Sequence, residues 1–306
     1  MARDWIVPME SLPELFAHYL LNPRDVGVGG TLANVLERAG DGCRAAFLRR
    51  AMELGRASKN VRGFGPAGSD LGMLFGSDTF LGRLTWVIAP TPPVINSGDR
   101  GTGWFDSIEL SFHAGVERGG QMSWVSAEPV RIFQYLGFLG AMRMRQQSPS
   151  EGGLPEDVFA RDRFGDHPET DPVTKVYHEE ASAYARWFGR ALARQTSLQS
   201  FRESYGKDAV DRLMPHGLWI WSGDECDFDD TLHFAFTAST LDEHRWPAVQ
   251  ESTGADGHFE DLVIARHAWT RALDCGFVTE LPIGPSAAAS LTTPGPFVFD
   301  NAPLRS

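Results

Sequence analysis

Apolar and polar residues alternate most clearly over residues 106–114 (DSIELSFHA) and 231–239 (TLHFAFTAS). A period of two predicts half-buried strands. In the first, Ile108, Leu110, Phe112 and Ala114 fall on one face, and Glu109, Ser111 and His113 share the other. In the second, Leu232, Phe234 and Phe236 oppose His233, Ala235 and Thr237. Shorter runs at 84–89, 121–126 and 218–221 read as further strands, and 121–126 is expected to pair with the first alternating segment across the glycines between 115 and 120. The segment 129–145 (PVRIFQYLGFLGAMRMR) is apolar nearly all round, which predicts a buried helix whose Gly137 and Gly140 admit a close neighbour. Asp171 followed by Pro172 reads as a helix start, with an apolar stripe through Val173, Val176, Tyr177, Tyr184, Trp187, Phe188 and Leu192 to about Arg194. A last helix is expected from about His258 to Asp274, stopped near Gly276.

These elements give an α+β fold with antiparallel sheet elements covered by helices. The most Pro- and Gly-punctuated internal stretch divides the chain into an N-terminal half at 1–146, a linker or long loop at 147–171 and a C-terminal half at 172–306, either as two halves or as one fused domain. Each half holds a short aromatic strand, a Phe-Asp turn (Phe105-Asp106, Phe228-Asp229), a longer alternating strand and a later helix, the outline of a degenerate duplication of a hairpin-plus-helix unit. In the Pro- and Gly-rich tail, 297–299 is suited to an edge strand.

Composition narrows the class. The chain has 306 residues, 42% hydrophobic and 22% charged, the profile of a folded domain and not of a disordered chain. Its formal net charge of -12 repels phosphates, so general nucleic-acid binding is not expected. Residues 1–22 carry acids and prolines where a signal peptide would have a basic start and an apolar run, and no window approaches a transmembrane span. The three cysteines, Cys43, Cys226 and Cys275, are too scattered for a disulfide framework. A soluble, cytoplasmic protein is the expectation.

The candidate chemistry starts from the alternation. Glu109 and His113 point the same way, and if the two alternating strands are neighbours in one sheet, His233 joins them. Two imidazoles and one carboxylate form a catalytic and metal-ligating set, and a divalent metal, iron or zinc, is the cofactor it would take. The bland counterpart is the polar face of a sheet packed on helices by its other side.

A second candidate is basic. Arg44, Arg49, Arg50, Arg56, Lys59 and Arg62 precede a run whose Gly63, Gly65 and Gly68 match G-x-G-x-x-G. Polar residues 56–62 stand where a dinucleotide fold needs a strand, and Pro66 disturbs the turn into a helix. What remains is a phosphate or carboxylate site built from Arg49, Arg56 and the glycine backbone, set against a solvated helix face. Five carboxylates between Asp224 and Asp230 make the strongest local charge signal; they fail the calcium-loop pattern, because Asp230 stands where glycine is required and Phe236 where the closing glutamate is. The pairs His178 with Glu179 and Glu180, and Glu260 with His267, read as helix-end chemistry and as residues two turns apart. Ser69, Ser77 and Ser286 lie outside any G-x-S-x-G elbow, and Cys43 suits a core position.

Two functions follow as expectations. One is an enzyme acting on a small molecule by metal-assisted or His/carboxylate acid-base chemistry, in a pocket collecting His113, His233 and Glu109. The other is a non-catalytic acidic binding protein, such as a toxin-neutralising module, that meets a basic protein partner through the 224–230 acids.

Overall fold

The computed structural model describes residues 11–57, 66–67, 69–95, 101–118, 120–145, 161–215, 218–225, 232–236, 264–267 and 275–283. The chain opens with three helices, α1 (Leu12–Leu21), α2 (Val26–Arg38) and α3 (Gly42–Ala57). Local chemistry sets where they begin. The Ser11 backbone N–H donates to Glu14 of the first turn, and Asp25 accepts from the N–H groups of Gly27 and Val28. After the short pieces β1 (Pro66–Ala67) and α4 (Ser69–Gly72) come β2 (Thr85–Ala89), β3 (Thr102–Asp106), β4 (Ser111–Arg118) and β5 (Gln121–Ser126), then the buried helix α5 (Ile132–Met144). The second half contributes α6 (His178–Trp187), β6 (Ala191–Leu192), α7 (Gln195–Tyr205), α8 (Lys207–Leu213), β7 (Trp219–Glu225), β8 (Leu232–Phe236), β9 (Ile264–His267), β10 (Cys275–Phe277) and β11 (Thr279–Ile283).

The strands form two sheets. The larger has the order β1-β2-β3-β4-β5-β11-β6 and the smaller β10-β7-β8-β9. Every neighbour pair is antiparallel except β2 with β3 and β7 with β10, so the α+β class with mainly antiparallel sheet holds. The run from Cys275 to Ile283 belongs to both sheets, pairing with β7 through β10 and with β5 and β6 through β11.

One face of the large sheet carries Phe105, Phe112, Ala114, Val116 and Val125 into the main core, where Phe47 of α3 lies 5.1 Å from both Phe105 and Phe112 by ring centroids. Helix α5 packs on α1, and Gly137 permits it: a Cβ there would stand 2.5 Å from Phe16 Cδ1. The expected close approach is therefore real. The other face of the large sheet is apolar at one end, with Trp104, Met122, Trp124, Leu281 and Ile95 clustered, and polar at the other.

Three expectations are corrected. Residues 106–114 do not form one strand: β3 ends at Asp106, residues 107–110 turn, and β4 starts at Ser111. The helix expected over 171–194 is confined to His178–Trp187: before it, Pro172 bridges to Arg131, the Val173 N–H donates to the Val130 carbonyl and Lys175 takes a left-handed φ of 58°, and Gly189 takes a left-handed φ of 68° just past its end. In place of the helix expected over 258–274, Ile264–His267 is a strand paired with β8. The tail strand at 297–299 and most of the 147–171 linker lie outside the described residues.

Candidate functional site

At the polar end of the large sheet's second face, side chains of catalytic type converge. Asp106 closes β3, Ser111 and His113 follow on β4, and registration sets Asp106 opposite Ser111 and Trp104 opposite His113. Between them the turn brings Glu109 back over the strand. Leu110 makes this possible with a left-handed φ of 58°, unusual for a leucine and anchored by several bonds. Its N–H donates to the Asp106 carbonyl at 2.8 Å, and its own carbonyl accepts from Arg44 Nε at 2.7 Å and Gln134 Nε2 at 3.3 Å.

Glu109, Ser111 and His113 form a hydrogen-bonded line. Ser111 Oγ lies 2.6 Å from Glu109 Oε2 and 2.7 Å from His113 Nε2, while that carboxylate oxygen and imidazole nitrogen are 3.7 Å apart. Glu109 and His113, expected to point the same way from one strand, come together here with Glu109 in the turn and His113 on β4. Their common neighbour is a guanidinium. Arg190, just beyond α6, reaches Glu109 and Asp106 in two ion pairs, stands 2.8 Å from His113 Nε2 and 3.3 Å from Thr279 Oγ1, and lies over the Trp104 ring at 5.3 Å. His113 packs its ring on the same indole at 4.9 Å.

The centre is sealed. Glu109 and His113 have no solvent exposure, Asp106 has 5% and Arg190 has 6%. Burial lowers the His113 pKa to about 4, against the opposing pull of Asp106 and Glu128, so the imidazole is neutral at pH 7. Burial likewise raises the Asp106 carboxyl, although Arg190 and the Ile108 N–H counter it, and lowers the Arg190 guanidinium. Among the described residues, Glu109 Oε1 and His113 Nδ1 have no hydrogen-bond partner.

The expected metal set is not assembled. His233 lies on β8 of the small sheet and His113 on β4 of the large one, so the strand pairing on which their convergence depended does not occur. The two atoms that would face an ion, Glu109 Oε2 and His113 Nε2, both face Arg190 Nη1, and a fixed guanidinium repels a metal cation there. No group of three or more His, Cys, Asp and Glu side chains placed to hold a metal occurs among the described residues.

A second ionic cluster backs the same turn. Buried Arg44 pairs with Asp41 and Glu128, and Glu128 also receives Arg131 at 2.7 Å and Arg212 at 3.2 Å. Burial would raise the Glu128 carboxyl, but three guanidinium groups overcome it and hold the group well below the usual carboxylate range. This arrangement uses up much of the basic candidate site. Arg49 bonds Glu37 and Asn34, and Arg50 bonds Glu53; Arg56 is exposed near the end of α3, while Gly63, Gly65 and Gly68 lie outside the described residues. Glu180, expected to complement a helix dipole, lies in the first turn of α6 and accepts from the Tyr177 N–H at 2.9 Å, and it is also buried against Arg163 at 2.7 Å. Cys43 is half-buried, and burial pushes its thiol up, as suits a core position. Of the acidic run, Asp224 accepts from Ser222 Oγ and the Gln195 N–H; residues 226–230 lie outside the described residues.

A shallow cavity of about 330 Å³ is lined by Phe80, Arg83, Leu84, Gly101, Glu203 and Tyr205, none of them part of the polar centre. Among the described residues, no helix is long and apolar enough to cross a membrane.

Alternation alone missed Arg190, Asp106 and Thr279. Gly189 was the available signal for Arg190: a glycine cap ends the helix there and releases the next residue toward the sheet. The chain matches no family model, no curated protein and no solved structure.

Proposed function

We propose that the protein acts by binding, as an acidic interaction protein whose partner is basic. The observation that carries this reading is the closure of the Glu109–His113 pair by Arg190. The residues best equipped for chemistry are out of solvent and already matched to a fixed cation, an arrangement that suits a structural clamp. The net charge of -12 supplies a field that draws positive partners, and the acids of residues 224–230 are its densest segment. Polylysine serves as the basic probe. The full chain is expected to bind it with steep salt dependence, and changing Asp227, Asp229 and Asp230 together to Asn is expected to weaken binding about tenfold, roughly 1.4 kcal/mol. Binding that ignores both salt and these changes overturns the proposal.

A second reading has its own observation in its favour. The Glu109–Ser111–His113 line, with an unpartnered oxygen at one end and an unpartnered nitrogen at the other, is the wiring of an acid-base relay. Its mark would be turnover of a small molecule that disappears in a folded Ser111→Ala or His113→Gln variant.

A further inference from the structure

The sealed centre is one positive charge short. Asp106 and Glu109 bring two carboxylates, Arg190 brings one guanidinium, and His113 is a neutral imidazole. Among the described residues, the groups packed around them do not make up the difference. From α1, Tyr19 is a phenol whose O–H donates to the Ser107 carbonyl, and from α6, Tyr184 is a phenol that burial keeps protonated. From α3, Arg44 is committed to Asp41 and Glu128. Arg131 and Arg212 also meet Glu128, and both reach solvent, with side chains 21% and 39% exposed. From β11, Thr279 is neutral, and Glu280 accepts from the Arg194 N–H. An isolated charge in such a volume is costly, and a closed wall keeps out an ammonium or a metal ion.

We propose that the Asp106–Glu109 pair retains one proton at neutral pH, making the β3–β4 turn a latch that loosens on the alkaline side. Hydrogen bonding indicates where the proton sits. Asp106 is served as a carboxylate, since its Oδ1 accepts from the N–H groups of Ile108 at 2.8 Å and Glu109 at 3.2 Å and its Oδ2 meets Arg190. Glu109 meets Ser111 and Arg190 through Oε2, and among the described residues its buried Oε1 has no donor. A charged oxygen without a donor is the dearest state for that atom, and a proton on it removes the charge. The upward push of burial on Asp106 acts in the same direction, and the proton belongs to the pair as a coupled unit.

The sign follows from linkage. A carboxyl pair whose folded state keeps a proton that the unfolded chain has lost stabilises the fold less as pH rises toward its folded pKa. His113 titrates with the opposite sign, but only below about pH 6.5. Above that, the pair makes the unfolding constant rise by as much as about tenfold per pH unit. Two measurements on the full chain test this. The infrared spectrum at pH 7 is expected to contain a carboxylic-acid carbonyl band that is lost in Glu109→Gln. Above pH 6.5, denaturant titrations are expected to show a flatter pH dependence in that variant than in the wild type. Glu280, also buried and raised by its burial, is controlled by Glu280→Gln, in which the band must persist. If Glu109→Gln does not fold, Asp106→Asn replaces it; if neither folds, persistence of the band in Glu280→Gln is the supporting result. Absence of the band from the wild type, its loss in Glu280→Gln, or parallel pH dependence in wild type and Glu109→Gln overturns the proposal.

Discussion

Leu110 shows how a single residue sets the polar centre. With its φ of 58°, the backbone reverses within the four residues of 107–110, and Glu109 returns over the strand that follows it. The sequence rule that placed Glu109 beside His113 assumed an extended strand, so the contact was legible although its cause was not. A buried leucine in a left-handed conformation leaves no mark on a hydrophobic pattern. Arg190 was hidden for a related reason, since a helix read through to Arg194 turns its side chain into one more surface charge. At this scale, His113 makes a measurable prediction. Its folded pKa of about 4 lies below the unfolded value, so the unfolded chain takes up a proton between about pH 6.5 and 4 that the folded chain refuses. Stability from this group is complete above that window and is lost as pH falls through it, by about 3 kcal/mol in full. The Asp106–Glu109 pair titrates with the opposite sign over this range, so the loss is read as a difference: as pH falls from about 6.5 to 4, the wild type is expected to lose stability relative to His113→Gln.

At the scale of elements, packing decided what periodicity could not. Helix α5 was readable because it is apolar on every side, and its glycines pointed correctly to a close neighbour, α1. Gly137→Ala is expected to destabilise the protein by about 1–3 kcal/mol in denaturant melts, since the added methyl meets Phe16 and, at 3.1 Å, the Pro13 carbonyl. Gly140→Ala should cost less, with only the Ala17 methyl at 3.0 Å to accommodate. The segment around Ile264–His267 misled because its apolar positions fit helical spacing as well as extended structure. A short strand gains its preference from its partner, and β8 supplies that only in the folded chain. Similarly, β3 was invisible: its Gly103 weakens the strand signal, yet a Cβ there would come 2.8 Å from the Trp86 ring, so glycine is what lets β2 and β3 lie side by side.

Across the molecule, the apparent division at 147–171 is crossed by the structure on both sides. Strand β11 lies between β5 and β6 in the large sheet, Val130 donates to the Phe277 carbonyl and Val173 donates to the Val130 carbonyl. One apolar core draws on Phe16, Phe112, Tyr184 and Phe277 together. Calorimetry should therefore show one cooperative transition for the described sheets. A chain ended at residue 274, lacking β10 and β11, is expected to lose that transition altogether, since β5 and β7 would each lose a hydrogen-bonded neighbour.

The same arrangement governs how the protein is made. On the ribosome, β2 to β5 emerge long before the strand that must lie against β5, and until it arrives an open edge with Trp124 beside it faces the crowded cell. Pairing so distant in sequence closes slowly, because the loop entropy is lost before the contact forms. Nascent chains should accordingly recruit holdase chaperones until β11 is synthesised, and yield in a foreign host should depend more on that interval than on the stability of the finished fold.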